Sequence, residues 1–501
     1  MKLSHLLNGI GFHELEGDEE VEIKGIAYDS RNVRPGYLFV AIKGHNQDGH
    51  RYLTEAVKNG AVALVAEYFS GSFERISRIN VPDSRIALSK LALRFYDNPC
   101  KDLDIVGITG TNGKTSTSYL LESIFHEAGC RPAVIGTINC RFDGITRPSP
   151  VTTPESLDLM RFMREVSDKG ATHVFIEVSS HALDQGRTSE CAMRAAVFTN
   201  FSRDHLDYHG TMERYFEAKS LLFKGLQQGT KGKDSVAIIN IDDPRGEELA
   251  SFTRVKIVRY GMNSKAQFRA ESVRATRKGL SAVLTTPEGR IDIKSSLIGE
   301  INIYNILAAA ATAVSLGIDL ESVAEGLEKM RVVPGRLEPV SNNRGLTIVV
   351  DYAHTPDALL KALTNLRPLV AGRLITVFGC GGDRDKGKRS EMGMVAGEKS
   401  DVVFITSDNP RSEDPKRIVD QIEEGVRGSG MMMKEWQGNS HGMEKGYFIE
   451  VDRREAIRKA ILVAGTKDAI LIAGKGHEDY QIVGNIRRHF DDKEEAAKAA
   501  A

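Results

Sequence analysis

The chain has 501 residues, so one hydrophobic core is excluded and, at roughly 150 residues per domain, about three domains are expected. Hydrophobic residues make up 41% and charged residues 27% of the chain, which excludes disordered and collagen-like proteins. The 67 lysine and arginine residues nearly balance the 68 aspartate and glutamate residues, and a net charge of -1 provides no global field that binds nucleic acid. Any anionic ligand must therefore be bound by local groups.

The sequence also lacks the usual signals for a membrane or an oxidising compartment. The longest apolar stretch, Ile306 to Ile318, is shorter than the ~20 residues of a membrane span, so no transmembrane helix is expected. Acidic residues follow soon after Met1, unlike a secretory signal, and predict a cytoplasmic protein. The five scattered cysteines are expected to be reduced core thiols: Cys100, Cys130, Cys140, Cys191 and Cys380.

The first part of the chain, residues 1–100, predicts a small α/β domain. Short apolar runs at Tyr37–Ile42 and Ala61–Ala66 are separated by glycine and aspartate turns. A second domain begins at Asp104–Thr109, where a β-branched run meets a glycine loop and a helical pattern from Ser116 to Ala128. The predicted strands that follow, with helices between them, are Val174–Val178, Ala195–Thr199 and Val236–Asn240.

Pro334-Gly335 interrupts this pattern, so we place a domain boundary there, giving domains of 101–335 and 336–501. The last domain is predicted to be doubly wound, with strands Thr347–Val350, Leu374–Phe378, Val402–Thr406 and Ala469–Ala473. The irregular segment from Gly428 to Gly446 predicts an exposed loop. The alanine-rich end, Ala496 to Ala501, predicts a frayed helix terminus.

The strongest single motif runs from Gly107 to Thr115, with the sequence GITGTNGKT, between a predicted strand and a predicted helix. Its glycines let backbone N–H groups approach phosphates, Lys114 neutralises their charge and Thr115 offers a hydroxyl to magnesium. Ile108 stands where the usual spacing places the first glycine, so the loop is a variant. It predicts nucleotide binding.

Two further polar groups follow apolar strands, at the sheet edge where α/β proteins bind ligands. Glu177 closes the run Val174–Ile176 and is placed to ligate magnesium, although a solvated carboxylate is about equally plausible. His205 lies in a polar cluster from Thr199 to Gly210, where a structural hydrogen-bonding role is the alternative.

Taken together, the ordered motifs of nearly the whole chain resemble the Mur ligases of peptidoglycan synthesis. The resemblance implies an α/β fold with a small N-terminal uridine-binding domain, a central P-loop ATPase-like parallel sheet and a C-terminal Rossmann-like domain. The motifs that carry it are GTNGKT at 110–115, Glu177-Val-Ser-Ser-His181, Ser202–Gly210, Gly299–Asn305, Pro334–Glu338 and Asp351–Pro356.

The resemblance implies ATP-dependent amide formation in which meso-2,6-diaminopimelate is added to UDP-N-acetylmuramoyl-L-alanyl-D-glutamate through an acyl phosphate. This choice of amino acid depends on Asp408-Asn-Pro-Arg411, which follows Gly381–Arg389. The implied partners are these small molecules and Mg²⁺, with no nucleic acid, and a monomer is expected.

The resemblance also assigns the catalytic and ATP-binding residues. Lys114, Glu177, His205 and Lys219 are implied to be catalytic, and Thr115, Glu177, His205 and Lys219, the last as a carbamate (N6-carboxylysine), to bind magnesium. From its sequence alone, Lys219 would be a solvated helical side chain. Residues implied to bind ATP are Gly110, Thr111, Asn112, Gly113, Lys114, Thr115, Ser116, Asn302, Asn305, Arg336 and Asp351. Helix capping is an alternative for Asn302, and a surface ion pair for Arg336.

For the UDP-sugar peptide, the resemblance implies binding by Ser30, Thr152, Thr153, Ser179, Gln185 and Arg187. Thr153 is also suited to cap a helix that begins at Pro154. For diaminopimelate it implies binding by Arg384, Asp408, Asn409, Pro410, Arg411, Gly474 and Glu478. Arg411 is able to donate two parallel N–H bonds to the far carboxylate, whereas lysine would leave the guanidinium unpaired. The alternative is that 408–411 is only a turn.

Two other functions remain open. A folylpolyglutamate synthase would share the phosphate loop and acyl-phosphate chemistry but should lack the Asp-Asn-Pro-Arg loop and the motif Asp29-Ser30-Arg31. A regulatory NTPase would hydrolyse the nucleotide without an amino-acid acceptor, and it leaves the arginine-rich loops of the last domain unexplained. For the ligase, we expect the domains to close around the substrates, because water must be kept from the acyl phosphate.

Overall fold

In the computed structural model, which describes residues 1–44, 47–71, 73–226, 234–437 and 445–501, the N-terminal part forms a small α/β layer. Its elements are α1 (Leu3–Leu7), β1 (Glu14–Glu16), β2 (Gly25–Ala27), β3 (Tyr37–Val40), α2 (Leu53–Lys58), β4 (Ala61–Ala66), β5 (Ser77–Asn80) and α3 (Ser84–Phe95). The strands lie in the order β1-β5-β4-β3-β2, with only β1 antiparallel to its neighbour.

The central part begins with a strand, the phosphate loop and a helix. Its elements are β6 (Asp104–Thr109), α4 (Lys114–Glu127), β7 (Pro132–Ile135), β8 (Asn139–Phe142), β9 (Ile145–Pro148), α5 (Ser156–Asp168), β10 (His173–Glu177), α6 (Ser180–Asp184), β11 (Met193–Phe198), α7 (Leu206–His209), α8 (Met212–Lys224), β12 (Val236–Asn240), α9 (Gly246–Ala250), β13 (Lys256–Tyr260), β14 (Arg269–Thr276), β15 (Gly279–Thr286), β16 (Gly289–Ser295), α10 (Asn302–Ser315) and α11 (Leu320–Lys329). An eight-stranded sheet has the order β13-β12-β11-β6-β10-β7-β8-β9, parallel from β13 to β7.

The parallel order explains where the site forms. Because β6, β10, β11 and β12 run in the same direction, the loops after them meet at one edge of the sheet. Gly110 and Thr199 begin two of these loops, and Glu177 and Asn240 end their strands at the same edge. The antiparallel sheet β14-β15-β16 was not predicted. Its alternating burial leaves one face toward the core, where Leu284 and Ile293 pack with the buried helix α10.

The C-terminal part is a second open sheet with helices on its faces. Its elements are β17 (Glu338–Pro339), β18 (Thr347–Asp351), α12 (Pro356–Leu366), β19 (Leu374–Phe378), α13 (Lys388–Lys399), β20 (Val402–Ile405), α14 (Pro415–Gly428), β21 (Gly446–Ile449), α15 (Arg453–Val463), β22 (Ala469–Ala473), β23 (Tyr480–Val483), β24 (Ile486–His489) and α16 (Asp492–Ala499). The order β17-β18-β22-β19-β20-β21 is parallel except at β17, and β23-β24 form a separate hairpin. The predicted three-part α/β fold is confirmed.

Several local predictions were wrong. The helix predicted from Ser116 begins at Lys114. The alanine-rich end is not frayed, since Ala496 and Ala500 are buried against the C-terminal sheet. The segment from Gly428 is only partly an exposed loop, because Met431 is buried and Trp436 packs on Phe448; residues 438–444 of that prediction lie outside the described part.

The prediction of five core cysteines holds for four of them. The five cysteines are free thiols, and four of them are buried, while Cys130 is half-buried. Within the described ranges, no helix is both long enough and apolar enough to cross a membrane.

Candidate active site

The loop between β6 and α4 folds around the amine of Lys114. Lys114 Nζ donates to the carbonyl oxygens of Gly110 (2.8 Å) and Thr111 (2.9 Å). Gly113 has a left-handed φ of +89°, and a Cβ there would lie 2.4 Å from Asn305 Oδ1, so a side chain does not fit. Burial lowers the pKa of Lys114. The loop therefore places one amine beside the N-terminus of a helix, an arrangement that binds phosphate.

The loop after β11 fixes the shape of the phosphate loop. Asn200 accepts hydrogen bonds from the backbone N–H groups of Thr111 (2.8 Å, to its carbonyl) and Asn112 (3.0 Å, to its Oδ1). Thr199 Oγ1 donates to the Asn112 carbonyl at 2.6 Å. Ser116, the other predicted phosphate-loop residue, is buried in α4. The loop is therefore held by the neighbouring strand end.

Glu177 ends β10 directly beside the phosphate loop. Its carboxylate accepts hydrogen bonds from Thr115 Oγ1 (2.8 Å), Thr137 Oγ1 (2.8 Å) and the Thr137 N–H (3.1 Å). Only 1% of its surface is exposed, so the alternative of a solvated carboxylate is wrong. Thr137 in turn donates to the predicted sugar-peptide residue Thr152 at 3.2 Å. A buried carboxylate and a hydroxyl thus lie together where phosphates are expected.

Lys219 points from α8 into the same region. Its side chain is 1% exposed, and its Nζ donates to the Gly110 carbonyl (3.0 Å) and lies 4.5 Å from the centre of the Tyr215 ring. Burial lowers the pKa of Lys219 well below its ordinary value, and the charge of Lys114 adds to this. The solvated alternative is therefore wrong.

His205 lies at the edge of this region. Its backbone is left-handed, with a φ of +54°, and its ring is 41% exposed. His205 Nε2 is 3.4 Å from Asp204 Oδ2, and the ring centre is 4.8 Å from that of His181. The structural alternative for His205 thus has a partner in Asp204, while the exposed part of the ring is open to a ligand.

A cavity of about 460 Å³ extends from the phosphate loop to the C-terminal part of the chain. Arg336 lines it, donates through Nη2 to Thr115 Oγ1 (3.2 Å) and lies 4.8 Å from the centre of the Tyr352 ring. It is half-buried, so a surface ion pair is wrong. Asp351 accepts from the N–H groups of Leu337 (2.7 Å) and Ala353 (2.8 Å), and burial raises its pKa.

The other predicted nucleotide residues lie at the start of α10 and line the same cavity. Asn302 is the first residue of the helix rather than its cap, so the capping alternative is wrong. Its Nδ2 donates to the Ile298 carbonyl (2.8 Å), and its Oδ1 accepts from Asn305 (2.9 Å). The structure therefore brings both asparagines and Arg336 to one cavity with the phosphate loop.

The residues predicted for the UDP-sugar peptide divide between two places. Ser30 is buried at the start of a short 3₁₀ turn in the N-terminal part, where its carbonyl accepts from Asn59 Nδ2 at 2.9 Å. Thr153 does not cap a helix, since α5 begins at Ser156 after Glu155. Thr153 Oγ1 instead donates to the Glu177 carbonyl at 2.8 Å.

Ser179, Gln185 and Arg187 form one connected group with Thr153. Arg187 Nη1 donates to the Thr153 carbonyl (2.8 Å), and Arg187 Nε donates to Gln185 Oε1 (3.1 Å). Ser179 caps α6 by accepting from the N–H of Ala182 at 3.2 Å, and its own N–H donates to Thr153 Oγ1. The structure brings these four residues together next to Glu177, with Ser30 on a separate domain.

The two loops predicted to bind the amino acid meet at the end of β22. Asn409 Nδ2 donates to Glu478 Oε2 at 2.8 Å. Gly474 has a φ of +115°, and a Cβ there would lie 2.7 Å from Asp408 Oδ2. Burial and the charge of Asp408 raise the pKa of Glu478. The loop 408–411 therefore does more than turn the chain, because its side chains join a second loop about 70 residues further on.

The two predicted arginines and Pro410 differ in their exposure. Arg411 Nη1 donates to the Gly382 carbonyl at 2.8 Å, and Pro410 is buried between Asn409 and Arg411. Arg384 is exposed in the neighbouring loop. The structure thus places Arg384 at the rim of the region and Arg411 within it.

Comparison with known proteins assigns this site to a family. Family models described as "Mur ligase family, catalytic domain", "Mur ligase middle domain" and "Mur ligase, glutamate ligase domain" match residues 22–96, 108–313 and 335–476. A curated relative from Geobacter metallireducens, named UDP-N-acetylmuramoyl-L-alanyl-D-glutamate--2,6-diaminopimelate ligase, is 48% identical over 100% of this chain and 98% of its own length. The chain belongs to the Mur ligase family.

Solved structures agree with this assignment. A Mur ligase of the same printed name as the Geobacter relative is 33% identical, with a TM-score of 0.68, and the match covers 100% of this chain and 98% of that one. A folylpolyglutamate synthase from Mycobacterium tuberculosis, solved with ADP, is 20% identical with a TM-score of 0.63 and covers 78% of this chain and 91% of that one. At that identity, the second match shows the fold alone.

Sequence reasoning missed residues of this Mur ligase that join its parts. Thr137 contacts both Glu177 and Thr152. It comes two residues after β7, so the short apolar run Ala133–Ile135 was the available signal. Asp357 Oδ2 accepts from Asn112 Nδ2 (3.1 Å) and Ser202 Oγ (2.6 Å), connecting α12 to the phosphate loop. Asp357 directly follows the motif Asp351–Pro356, so its position was the available signal.

Proposed function

We propose that this Mur ligase adds meso-2,6-diaminopimelate to UDP-N-acetylmuramoyl-L-alanyl-D-glutamate, with ATP as co-substrate, in peptidoglycan precursor synthesis. The observation that carries the choice of amino acid is Arg411. Its side chain is held by the Gly382 carbonyl, and it belongs to the loop whose Asn409 bonds Glu478. The printed name of the Geobacter relative, which matches over the whole chain, supports the same substrates.

The reaction requires activation of a carboxylate, because a carboxylate is a poor electrophile. The γ-phosphoryl of ATP is transferred to the carboxylate oxygen, giving an acyl phosphate and ADP. The amine of the amino acid then attacks the carbonyl carbon, the C–O bond to phosphate breaks, and the amine gives up a proton. Lys114 and Arg336 are proposed to neutralise charge on the transferred group, which is the main contribution a protein makes to such a step.

The donor groups of the site fit magnesium. The buried Glu177 carboxylate and the Thr115 hydroxyl lie 2.8 Å apart, and oxygen donors of this kind are those that Mg²⁺ prefers. We propose that Thr115, Glu177, His205 and a carbamylated Lys219 hold the ion, although an imidazole is an unusual ligand for it. When bound, Mg²⁺ would offset negative charge on the phosphates.

Lys219 is proposed to be N6-carboxylysine. Its burial and the nearby charge of Lys114 favour the neutral amine, which is the form that attacks CO₂ to give a carbamate and release one proton. The modification replaces a buried amine by an anion beside the cationic Lys114. Labelling the protein with ¹³C-bicarbonate and recording its carbon NMR spectrum tests this, and an unmodified, fully active Lys219 would contradict it.

Binding of the remaining ligands is proposed on the same basis. The base, ribose and phosphates of ATP would contact Asn302, Asn305, Asp351 and the loop 110–116. The sugar peptide would span Ser30 and the group formed by Thr152, Thr153, Ser179, Gln185 and Arg187. The amino acid would bind between Arg384, the loop 408–411, Gly474 and Glu478, with its far carboxylate on Arg411.

The domain limits 1–100, 101–335 and 336–501 are part of the proposal and are supported by the separate sheets. We also propose a cytoplasmic monomer, since its expected substrates include ATP and a nucleotide sugar. Closure of the domains on the ligands is expected to exclude water. Small-angle scattering with and without ATP and the sugar peptide tests closure; an unchanged radius of gyration would contradict it.

The experiment that tests the function is ATP-dependent phosphate release with UDP-N-acetylmuramoyl-L-alanyl-D-glutamate and diaminopimelate, L-lysine or no amino acid. Release with diaminopimelate alone, with a tripeptide product identified by mass, is expected. A preference for lysine would keep the ligase but overturn the assigned role of Arg411. Hydrolysis that ignores the amino acid would favour a regulatory NTPase, and activity with a folate substrate would favour a folylpolyglutamate synthase.

A further inference from the structure

The backbone of Arg411 has an unusual conformation for an arginine. Its φ is +52°, in the left-handed region that glycine and asparagine favour, and such a conformation persists only where the surroundings hold it. The guanidinium makes one hydrogen bond among the described residues, from Nη1 to the Gly382 carbonyl. Its other donors are thus available to a carboxylate, provided that the backbone stays in place.

The hairpin β23–β24 supplies what holds this backbone. The Arg411 N–H donates to the Ile482 carbonyl at 3.1 Å, and the Gly484 N–H donates to the Arg411 carbonyl at 2.7 Å. The hairpin has only two strands and is outside the six-stranded sheet. Because an isolated two-stranded hairpin is marginally stable, its own position must depend on further contacts.

Gln481, on β23, makes those contacts with the loop. Its side chain is 2% exposed, and its Nε2 donates to the Asp408 carbonyl (2.8 Å) and to Ser407 Oγ (3.3 Å). Its Oε1 accepts from Arg488 Nη2 on β24 at 2.8 Å. One buried amide therefore joins the start of the loop 408–411 to both strands of the hairpin.

Asn409 completes the connection to the second loop. Its Oδ1 accepts from the Ile482 N–H (2.9 Å) while its Nδ2 donates to Glu478. If Gln481 no longer held β23 against residue 408, the partners of both Asn409 and Arg411 would lose their fixed position. Among the hydrogen bonds of the described residues, none joins the phosphate loop around Lys114 to this hairpin. Loss of the Gln481 contacts should therefore affect binding of the amino acid and leave binding of ATP unchanged.

We propose that Gln481 is a positioning residue for amino-acid selection, fixing Arg411 through the hairpin β23–β24. The inference rests on the proposed role of Arg411 in binding the far carboxylate of a diamino dicarboxylic acid. It assigns to Gln481 the selection between that acid and lysine, and no role in binding ATP.

The test is Gln481→Met, which keeps the volume and removes every hydrogen bond of the amide. We expect KM for diaminopimelate to rise about tenfold and KM for ATP to stay within about twofold, because the lost hydrogen bonds act on one substrate only. The ratio of kcat/KM for diaminopimelate over lysine should fall by a similar factor.

Two further variants separate positioning from a loss of stability. Asn342→Leu removes a half-buried amide of the same domain whose side chain also bonds backbone groups, at Val340, Arg344 and Leu346, away from the site. It should lower Tm without changing KM for the amino acid. Arg488→Met removes the hydrogen bond from Arg488 to Gln481 on the exposed strand β24. It should raise KM for diaminopimelate about two- to threefold. In the double variant with Gln481→Met, Arg488→Met should have no further effect, because the bond is already lost.

The proposal is overturned if Gln481→Met leaves the KM for diaminopimelate unchanged, or if it raises the KM of every substrate together. It is also overturned if Asn342→Leu, at a similar loss of Tm, raises the KM for diaminopimelate as much as Gln481→Met does. If Gln481→Met does not fold, the Arg488→Met variant decides, and an unchanged KM for diaminopimelate there overturns the proposal. A wild-type enzyme that prefers lysine or forms no amide would instead contradict the proposed function, and that is measured before any variant.

Discussion

The phosphate loop and the amino-acid loop of this Mur ligase are held in different ways. Lys114 donates to carbonyls three and four residues before it, and the loop lies between a strand and a helix that are adjacent in the chain. Arg411 is fixed by Ile482 and Gly484, and Asn409 by Glu478, all about 70 residues away. The amine of the first loop is bound by its own neighbours in the chain, although Thr199 and Asn200 also hold the loop backbone. The second region has no such local part, because its two loops are joined only by residues that are far apart in the chain.

This difference shows which kind of function a short motif is able to specify. Phosphate is bound by backbone groups and one amine, so a few neighbouring residues are enough. Diaminopimelate differs from lysine by a carboxylate at one end. To tell them apart, the enzyme needs a cation at a fixed distance from the site that binds the reacting amine. Only contacts between distant parts of the chain fix that distance.

The largest expected effect is on the local loop. Lys114→Met should lower kcat for amide formation by about a thousandfold, since it removes a charge that stabilises the transferred phosphoryl group. Steady-state phosphate release measures it, with Lys101→Met, a surface lysine paired with Asp97, as the control. A variant that keeps a tenth or more of the activity would contradict the role of Lys114.

Lys219→Ala should lower kcat by about a hundredfold or more, because the proposed carbamate is lost beside the transferred group. Added acetate or formate should restore part of the rate by supplying a carboxylate to the vacated space. Lys224→Ala, on the exposed end of the same helix, is the matched control and should behave as wild type. If neither acid restores activity and Lys219 is unmodified in the wild-type enzyme, the proposed carbamate is contradicted.

Arg411→Lys should act on selection more than on rate. Lysine cannot donate the two parallel N–H bonds of a guanidinium to a carboxylate. The preference for diaminopimelate over lysine should therefore fall by about 10- to 100-fold, while KM for ATP is unchanged. Competition between the two amino acids, read by product mass, measures it. Arg417→Lys, exposed on α14, serves as the control, and an unchanged preference in Arg411→Lys would refute the assignment.

The smallest effect concerns acid stability of the assembled region. Glu413 accepts hydrogen bonds from Arg389, and this partner lowers the pKa of Glu413 to about 2. Because the folded pKa lies below the ordinary value of 4.5, the stabilisation is present above about pH 4.5 and is lost as the pH falls toward 2.

Glu413→Gln should therefore reduce stability at neutral pH and flatten the pH dependence of unfolding between those values. Urea unfolding followed at several pH values measures this, with Glu424→Gln on the exposed face of α14 as the matched control. Equal slopes in Glu413→Gln and wild type would show that the ion pair contributes nothing measurable.

The sequence by itself determined the elements whose signals are local. Strands Ala61–Ala66, Asp104–Thr109, Val236–Asn240, Leu374–Phe378 and Ala469–Ala473 have the predicted bounds, because continuous apolar runs ended by glycine or polar residues are typical of buried parallel strands. The phosphate loop and the family resemblance were readable for the same reason. The helix Lys114–Glu127 begins two residues before the predicted start at Ser116. Its first turn is polar, so the apolar periodicity used for the prediction does not include it.

Only the tertiary structure decided which side chains are buried and which loops meet. From the sequence alone Lys219 reads as a solvated side chain, and Glu177 reads equally well as a solvated carboxylate or a magnesium ligand. Each is 1% exposed, because burial depends on elements that pack from elsewhere in the chain. Thr153 reads as a helix cap but bonds the end of β10. The terminal alanines are buried because Asp492, at the start of α16, pairs with Arg453 and docks the helix on the sheet. Long-range contacts of this kind leave no periodic signal, so the fold has to supply them.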